Sequence, residues 1–153
     1  MNRPTILRYI SILYRFSQIH IAQQLKPHKI GSGQYPFIFS VCRNPGINQD
    51  GLSERLLIDK GTTAKAVKIL ETGGFLRREQ DPADRRVYRL HATAEGEELG
   101  KILESILPLW QELLWKGFSR QEKEQAYSLV QRMSENAKDF LTPSAGETDS
   151  SMP

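Results

Sequence analysis

Residues 47–93 read INQDGLSERLLIDKGTTAKAVKILETGGFLRREQDPADRRVYRLHAT. Asn48 is a plausible N-cap for a short helix that ends near Leu57, with Gly51 a weak helix former inside it. Asp59 can cap a second helix over residues 60–72, which Gly73-Gly74 terminates. Residues 75–80 and 87–91 then carry strand-forming side chains, and Asp81-Pro82-Ala83-Asp84-Arg85-Arg86 is the turn between them. Two short helices followed by a hairpin is the order of a winged helix-turn-helix.

The second helix sorts its residues by face. Thr63, Ala66, Val67 and Leu70 can pack on the preceding helix, which leaves Lys60, Thr62, Ala64, Lys65 and Lys68 outside. Three of those five are cations and the other two are small. A helix that enters the major groove of DNA needs donors for phosphates and base edges, and no bulk that blocks approach. The same face also suits an ordinary solvated helix. The hairpin shifts the balance, because Arg85 and Arg86 sit on a thin projection that can reach a narrow minor groove. Asp84 is odd beside DNA unless it has a structural task, such as holding Arg86 extended. Turns also favour Asp and Pro for their own reasons, and the two readings do not compete.

Outward from this segment the chain is helical. Residues 5–25 place Ile6, Ile10, Leu13, Phe16 or Ser17, and His20 or Ile21 at helical spacing, with Tyr9, Ile12, Tyr14 and Ile19 widening the stripe. A helix so apolar around its circumference is expected to bury a second side against another subunit. A short helix over residues 35–43 follows, with Pro36 in its first turn, and Asn44-Pro45-Gly46 stops it. Thr93 can cap a long helix whose stripe is Leu99, Ile102, Leu103, Ile106, Trp110, Leu113 and Leu114, and which Pro108 should kink. Ser119-Arg120-Gln121-Glu122 is a capping box for a last helix striped by Ala126, Leu129 or Val130, Met133, Ala137 and Phe140. The polar stretch 142–153 is expected to be a disordered tail.

Bulk properties agree with one domain over residues 1–141. The 153 residues are 39% apolar and 25% charged, enough to bury a core without staples. Net charge is +3, but it is segregated: residues 1–58 carry +5, residues 59–92 carry +3 and residues 93–141 carry −3. One basic face and one acidic region suit a protein with a nucleic-acid side and a side turned elsewhere. Cys42 is the single cysteine, so no intrachain disulfide is possible. Arg8 and Arg15 break the apolar N-terminal run, and no segment approaches the roughly 18 apolar residues of a membrane span. A cytoplasmic protein without a membrane partner is expected.

Several short motifs recur here in a fixed order: Ile47-Asn48-Gln49, Leu56-Leu57-Ile58-Asp59-Lys60, Leu70-Glu71-x-x-Gly74-Phe75-Leu76-x-Arg78, Asp81-x-x-Asp84-x-Arg86 and Thr93-x-x-Gly96. Each is weak alone, but the ordered set resembles the MarR family of bacterial transcriptional regulators over about residues 5–141. The resemblance implies a mainly α fold with a small β-hairpin. A winged helix-turn-helix DNA-binding lobe would cover about residues 34–92, and a dimerisation lobe about residues 5–26 and 94–141. It further implies a homodimer on double-stranded DNA with a pseudo-palindromic operator, acting as a repressor that a small aromatic or phenolic ligand can release. Carried over by position, Thr62, Ala64, Lys65 and Lys68 fall where the family reads the major groove, and Lys60, on the same outward face, is expected to contact DNA with them. Arg86 falls at the wing arginine with Asp84 as its partner, and Arg85 and Arg78 fall at phosphate contacts. Gly61 and Ala64 depart from the family, which often has a helix former and a serine there. That shifts expected recognition towards shape and phosphates.

Other chemistry is thin. No nucleophile elbow, phosphate loop or metal-ligand spacing is present, so neither an enzyme nor a cofactor is expected. His20 is the best polar candidate for a ligand cleft, although a core or interface histidine is the plainer reading. Cys42, beside Phe39 and Val41, reads as a small buried hydrophobe. The alternative function is a winged helix that docks proteins rather than DNA. Basic residues on the second helix and the wing tip count against it.

Overall fold

The computed structural model describes residues 5–142. Its elements are α1 (Ile6–Leu25), α2 (Tyr35–Arg43), α3 (Gln49–Leu56), α4 (Lys60–Thr72), β1 (Leu76–Gln80), β2 (Tyr88–Ala92), α5 (Ala94–Leu114) and α6 (Arg120–Leu141). The mainly helical fold with one hairpin is therefore as the sequence predicts. Leu25 leads into a single 3-10 turn, Lys26–His28, that contains Pro27. Helix α5 runs through Pro108 without a break. The expected tail lies outside the described residues, apart from Thr142.

The chain divides into two compact units, with the boundary between Trp110 and Gln111. In the first, a single core joins α1, α2, α3, α4, the hairpin and the start of α5. Phe37, Ile38, Leu52, Leu70, Leu90 and Leu103 are among its largest buried side chains. Each such residue contributes about 1.5–3 kcal/mol by leaving water. Two glycines let α5 come close. A Cβ on Gly96 would lie 2.0 Å from the Phe75 carbonyl oxygen, and one on Gly100 would lie 2.8 Å from the Cys42 sulfur. The Thr93 hydroxyl closes the same corner: it donates to the Gly74 carbonyl at 2.6 Å and accepts from the Gly96 N–H at 3.1 Å.

The hairpin is antiparallel, with Leu76 opposite Ala92 and Gln80 opposite Tyr88. Each strand starts one residue later than the apolar pattern suggests, because Phe75 and Val87 belong to the flanking turns. A third edge was not legible in the sequence. Gly46 donates to the Leu90 carbonyl and Leu90 donates to the Ile47 carbonyl, both at 2.9 Å, and Asn48 bridges Arg89. The segment before α3 is thereby laid along β2.

Along α1, Ile21 and Leu25 are buried. Ile6, Leu7, Tyr9, Ile10, Leu13, Tyr14, Phe16 and Ile19 remain 47–70% exposed in the single chain. The second unit, taken by itself, comprises the end of α5, a turn at Gly117 and helix α6. Ser119 and Glu122 make the expected reciprocal capping box. No residue of α6 is buried, and Leu129, Val130, Met133 and Phe140 of its apolar stripe all stand exposed.

Candidate nucleic-acid interface

Helix α4 starts where Asp59 stops the preceding turn. Its carboxylate accepts from the Thr62 N–H at 2.8 Å and from the Thr62 hydroxyl at 2.7 Å. Those bonds, the N–H first, hold the Asp59 carboxyl below its ordinary value. The Thr63 hydroxyl donates to the Asp59 carbonyl at 2.9 Å, and Thr63 is fully buried with Ala66, Val67 and Leu70. The turn before it is held by Ser53, whose hydroxyl donates to the Ile58 carbonyl. The outward face is as the helical pattern predicts. Lys60, Thr62, Lys65 and Lys68 are exposed and Ala64 is half-buried. These residues differ in availability. Lys60 pairs with Asp50 at 3.1 Å, and the Thr62 hydroxyl is engaged in the cap. Lys65 and Lys68 have no carboxylate within ion-pair distance among the described residues.

The wing is built by short-range hydrogen bonds. Asp81 donates its N–H to the Val87 carbonyl at 2.9 Å, and Val87 returns one to the Asp84 carbonyl at the same distance. The Gln80 side-chain amide donates to the Arg85 carbonyl at 2.8 Å. Asp84 accepts the Arg86 main-chain N–H at 3.0 Å. It thus holds the backbone of Arg86 rather than its guanidinium. Arg85 and Arg86 are exposed and have no ion-pair partner among the described residues. Arg86 lines a cleft of about 220 Å³ with Arg78, Gln49, Asp50, Tyr88 and others, which joins the wing to the start of α3. Arg78 is occupied there: its guanidinium donates to Glu71 at 2.8 Å and to Gln49 at 3.3 Å. Asp50 lines this cleft and also pairs with Lys60, so the start of α4 and the wing share one neighbour.

Two wing residues were given no role by sequence reasoning. Asp81 is only 6% exposed, accepts the Ala83 N–H at 2.8 Å and pairs with Arg89 at 2.6 Å. The Ala83 N–H, then the Arg89 guanidinium, hold its carboxyl below the ordinary value against the upward push of burial. Arg89 also donates to the Gly46 carbonyl at 3.0 Å. The available signal was positional: an acid opening the turn and a base on β2 just beyond it.

His20 and Cys42 are placed by packing. His20 stacks on Trp110 with ring centroids 4.6 Å apart, and the Trp110 N–H donates to the Ser17 hydroxyl at 2.9 Å. Cys42 is half-buried under Gly100, and burial, then Glu97 and Glu104, push its thiol up. No group of three or more His, Cys, Asp or Glu residues gathers as a metal site, and no helix is long and apolar enough to cross a membrane, among the described residues.

Known proteins share this arrangement. The MarR family model matches residues 32–88, which run from α2 to the start of β2. An uncharacterized HTH-type transcriptional regulator, YybA of Bacillus subtilis (strain 168), is 30% identical over 131 residues, covering 86% of this chain and 87% of its own. The crystal structure of a MarR transcriptional regulator from Methanosarcina mazei Go1 is 42% identical with a TM-score of 0.76, covering 87% of this chain and 96% of that one. A MarR family regulator from Listeria monocytogenes, solved with a 26mer DNA, is 26% identical with a TM-score of 0.83, covering 97% and 100%. With its two-helix reader, its arginine-tipped hairpin and these relatives, the chain belongs to the MarR family of transcriptional regulators.

Proposed function

We propose that the protein is a homodimeric repressor that reads a two-fold symmetric DNA operator. In this reading each α4 enters a major groove and each wing an adjacent minor groove. The observation that carries it is the set of four cations without a carboxylate partner among the described residues. Lys65 and Lys68 lie on α4, and Arg85 and Arg86 on the wing. Duplex DNA carries one negative charge per ~1.7 Å of axis, so cations presented without internal competition are suited to it. The Listeria relative crystallised with DNA supports the same use. Lys60 and Arg78, held by Asp50 and Glu71, act in support by fixing α4 and β1. Ala64 permits close approach, and Thr62 holds the cap.

The dimer is supported by the exposed apolar rows on α1 and, separately, on α6, since large exposed apolar patches mark interaction surfaces. Residues 34–92 form the reading lobe and the flanking helices the dimerisation lobe. A DNA-reading role places the protein in the cytoplasm. His20 is stacked on Trp110, so the ligand-binding role expected for it forms no part of the proposal.

Selection from a random duplex pool tests this reading. The expected product is a two-fold symmetric consensus, with half-sites about one helical turn apart. Sedimentation should give a dimer at micromolar concentration. An enriched motif without symmetry, or a folded monomer, would overturn the dimer. No enrichment, with binding indifferent to salt, would favour a protein-docking winged helix.

A further inference from the structure

The wing carries three arginines in five residues, and the structure does not treat them alike. Arg85 and Arg86 project without partners. Arg89, on β2, engages both arms of its half-exposed guanidinium within the chain, one with the buried Asp81 carboxylate at 2.6 Å and one with the Gly46 carbonyl at 3.0 Å. Asp81 also accepts the Ala83 N–H and so shapes the first half of the wing turn. Gly46, at φ +84, sits in the α2–α3 connection, two residues before the Asn48 cap of α3. A single side chain therefore straps the base of the wing to the entry of the reading motif. Its two-armed fork is what the geometry uses, since the two acceptors belong to different segments.

We propose that Asp81 and Arg89 are a positioning pair for DNA binding. They fix the angle of the wing over the start of α3, and they act on DNA only through Arg86. The inference rests on the DNA-reading function proposed above. It separates Arg89 from an ordinary phosphate contact, which any exposed arginine on a basic wing could be.

The test is a double-mutant cycle on a duplex carrying an A-tract, whose narrow minor groove favours an inserted arginine. Wild type, Arg89→Gln, Arg86→Ala and the double variant are titrated over a salt series, after circular dichroism confirms folding. Arg89→Gln should weaken binding on the order of fivefold with Arg86 present, and less than about twofold once Arg86 is gone, as coupled residues do. The salt slope should not change with Arg89→Gln, whereas Arg86→Ala should lower it by about 1 per wing. Arg89→Lys keeps the charge and loses the fork, so it should behave like Arg89→Gln. Asp81→Asn should show the same dependence on Arg86, and it carries the test if Arg89→Gln does not fold. Equal losses in both backgrounds, a lower slope for Arg89→Gln, rescue by lysine, or unchanged affinity would each overturn the positioning role while leaving the DNA-reading function intact. Failure of the wild-type protein to bind any duplex would overturn both.

Discussion

Replacing Lys65 and Lys68 together by alanine should change how DNA binding depends on salt more than it changes the protein. Both side chains are exposed and outside the core, so the folded state loses neither burial nor an ion pair among the described residues. The magnitude follows from which cations are unpaired. Among the cations of α4 and the hairpin, Lys60, Arg77, Arg78 and Arg89 are engaged by Asp50, Glu79, Glu71 and Asp81, which leaves Lys65, Lys68, Arg85 and Arg86 in each chain. A dimer using all of them neutralises eight phosphates, and the log–log slope of affinity against salt should be about −7. Without the two lysines the slope should rise to about −4. Raising salt from about 0.1 to about 0.3 M should then weaken the wild type by about 2,000-fold and the variant by only about eightyfold. Fluorescence anisotropy with a labelled duplex at several salt concentrations reads both slopes directly. A variant slope equal to that of the wild type would refute the reasoning, because the lysines would then not face phosphates. A wild-type slope near −4 would mean that only one chain is engaged.

Gly96→Ala should destabilise the fold by about 1–3 kcal/mol, because the added methyl meets the main-chain oxygen of Phe75 rather than a side chain that can turn away; a thermal melt measures the loss. Asn48→Ala removes the acceptor that caps α3 at 2.7 Å and should cost about 1 kcal/mol by denaturant titration. Asp59, Asp81 and Glu122 all have carboxyls held below their ordinary values, so each contributes stability that is complete above the usual carboxylate range and is lost as pH falls through the lowered value. Thermal midpoints should therefore fall on acidification below about pH 4, and the fall should be smaller in Asp81→Asn. Cys42 has its thiol pushed up by burial, so iodoacetamide should label it more slowly than a free cysteine peptide at the same pH. Equal labelling rates would contradict its packing under Gly100.

The elements were legible because their punctuation is local. Asn48, Asp59, Thr93 and Ser119 each announce a helix start, and each accepts the N–H that a cap should accept. The face of α4 was legible for the same reason, since a period of 3.6 residues separates Thr63, Ala66, Val67 and Leu70 from the lysines. What periodicity could not separate was a cation that is exposed from a cation that is available. Lys60 and Lys65 look alike in the sequence, yet only the first has a carboxylate beside it, supplied by a residue ten positions away. Arg89 was missed because its partners, Asp81 and Gly46, come from two other segments that meet only when β2 gains its third edge. Sequence reasoning paired Asp84 with Arg86 but named no atom for the contact, and it is the main-chain N–H of Arg86 that Asp84 accepts.

That choice of atom has a kinetic consequence. An arginine pinned to its own carboxylate must first break that pair before it can enter a groove, and the exchange would slow capture and reduce the attraction felt at a distance. Asp84 shapes the loop without occupying the guanidinium of Arg86. In the proposed complex the positive charge at the tip is therefore already open when a duplex arrives, and the encounter would involve shedding water and ions but no rearrangement of the protein's own charges.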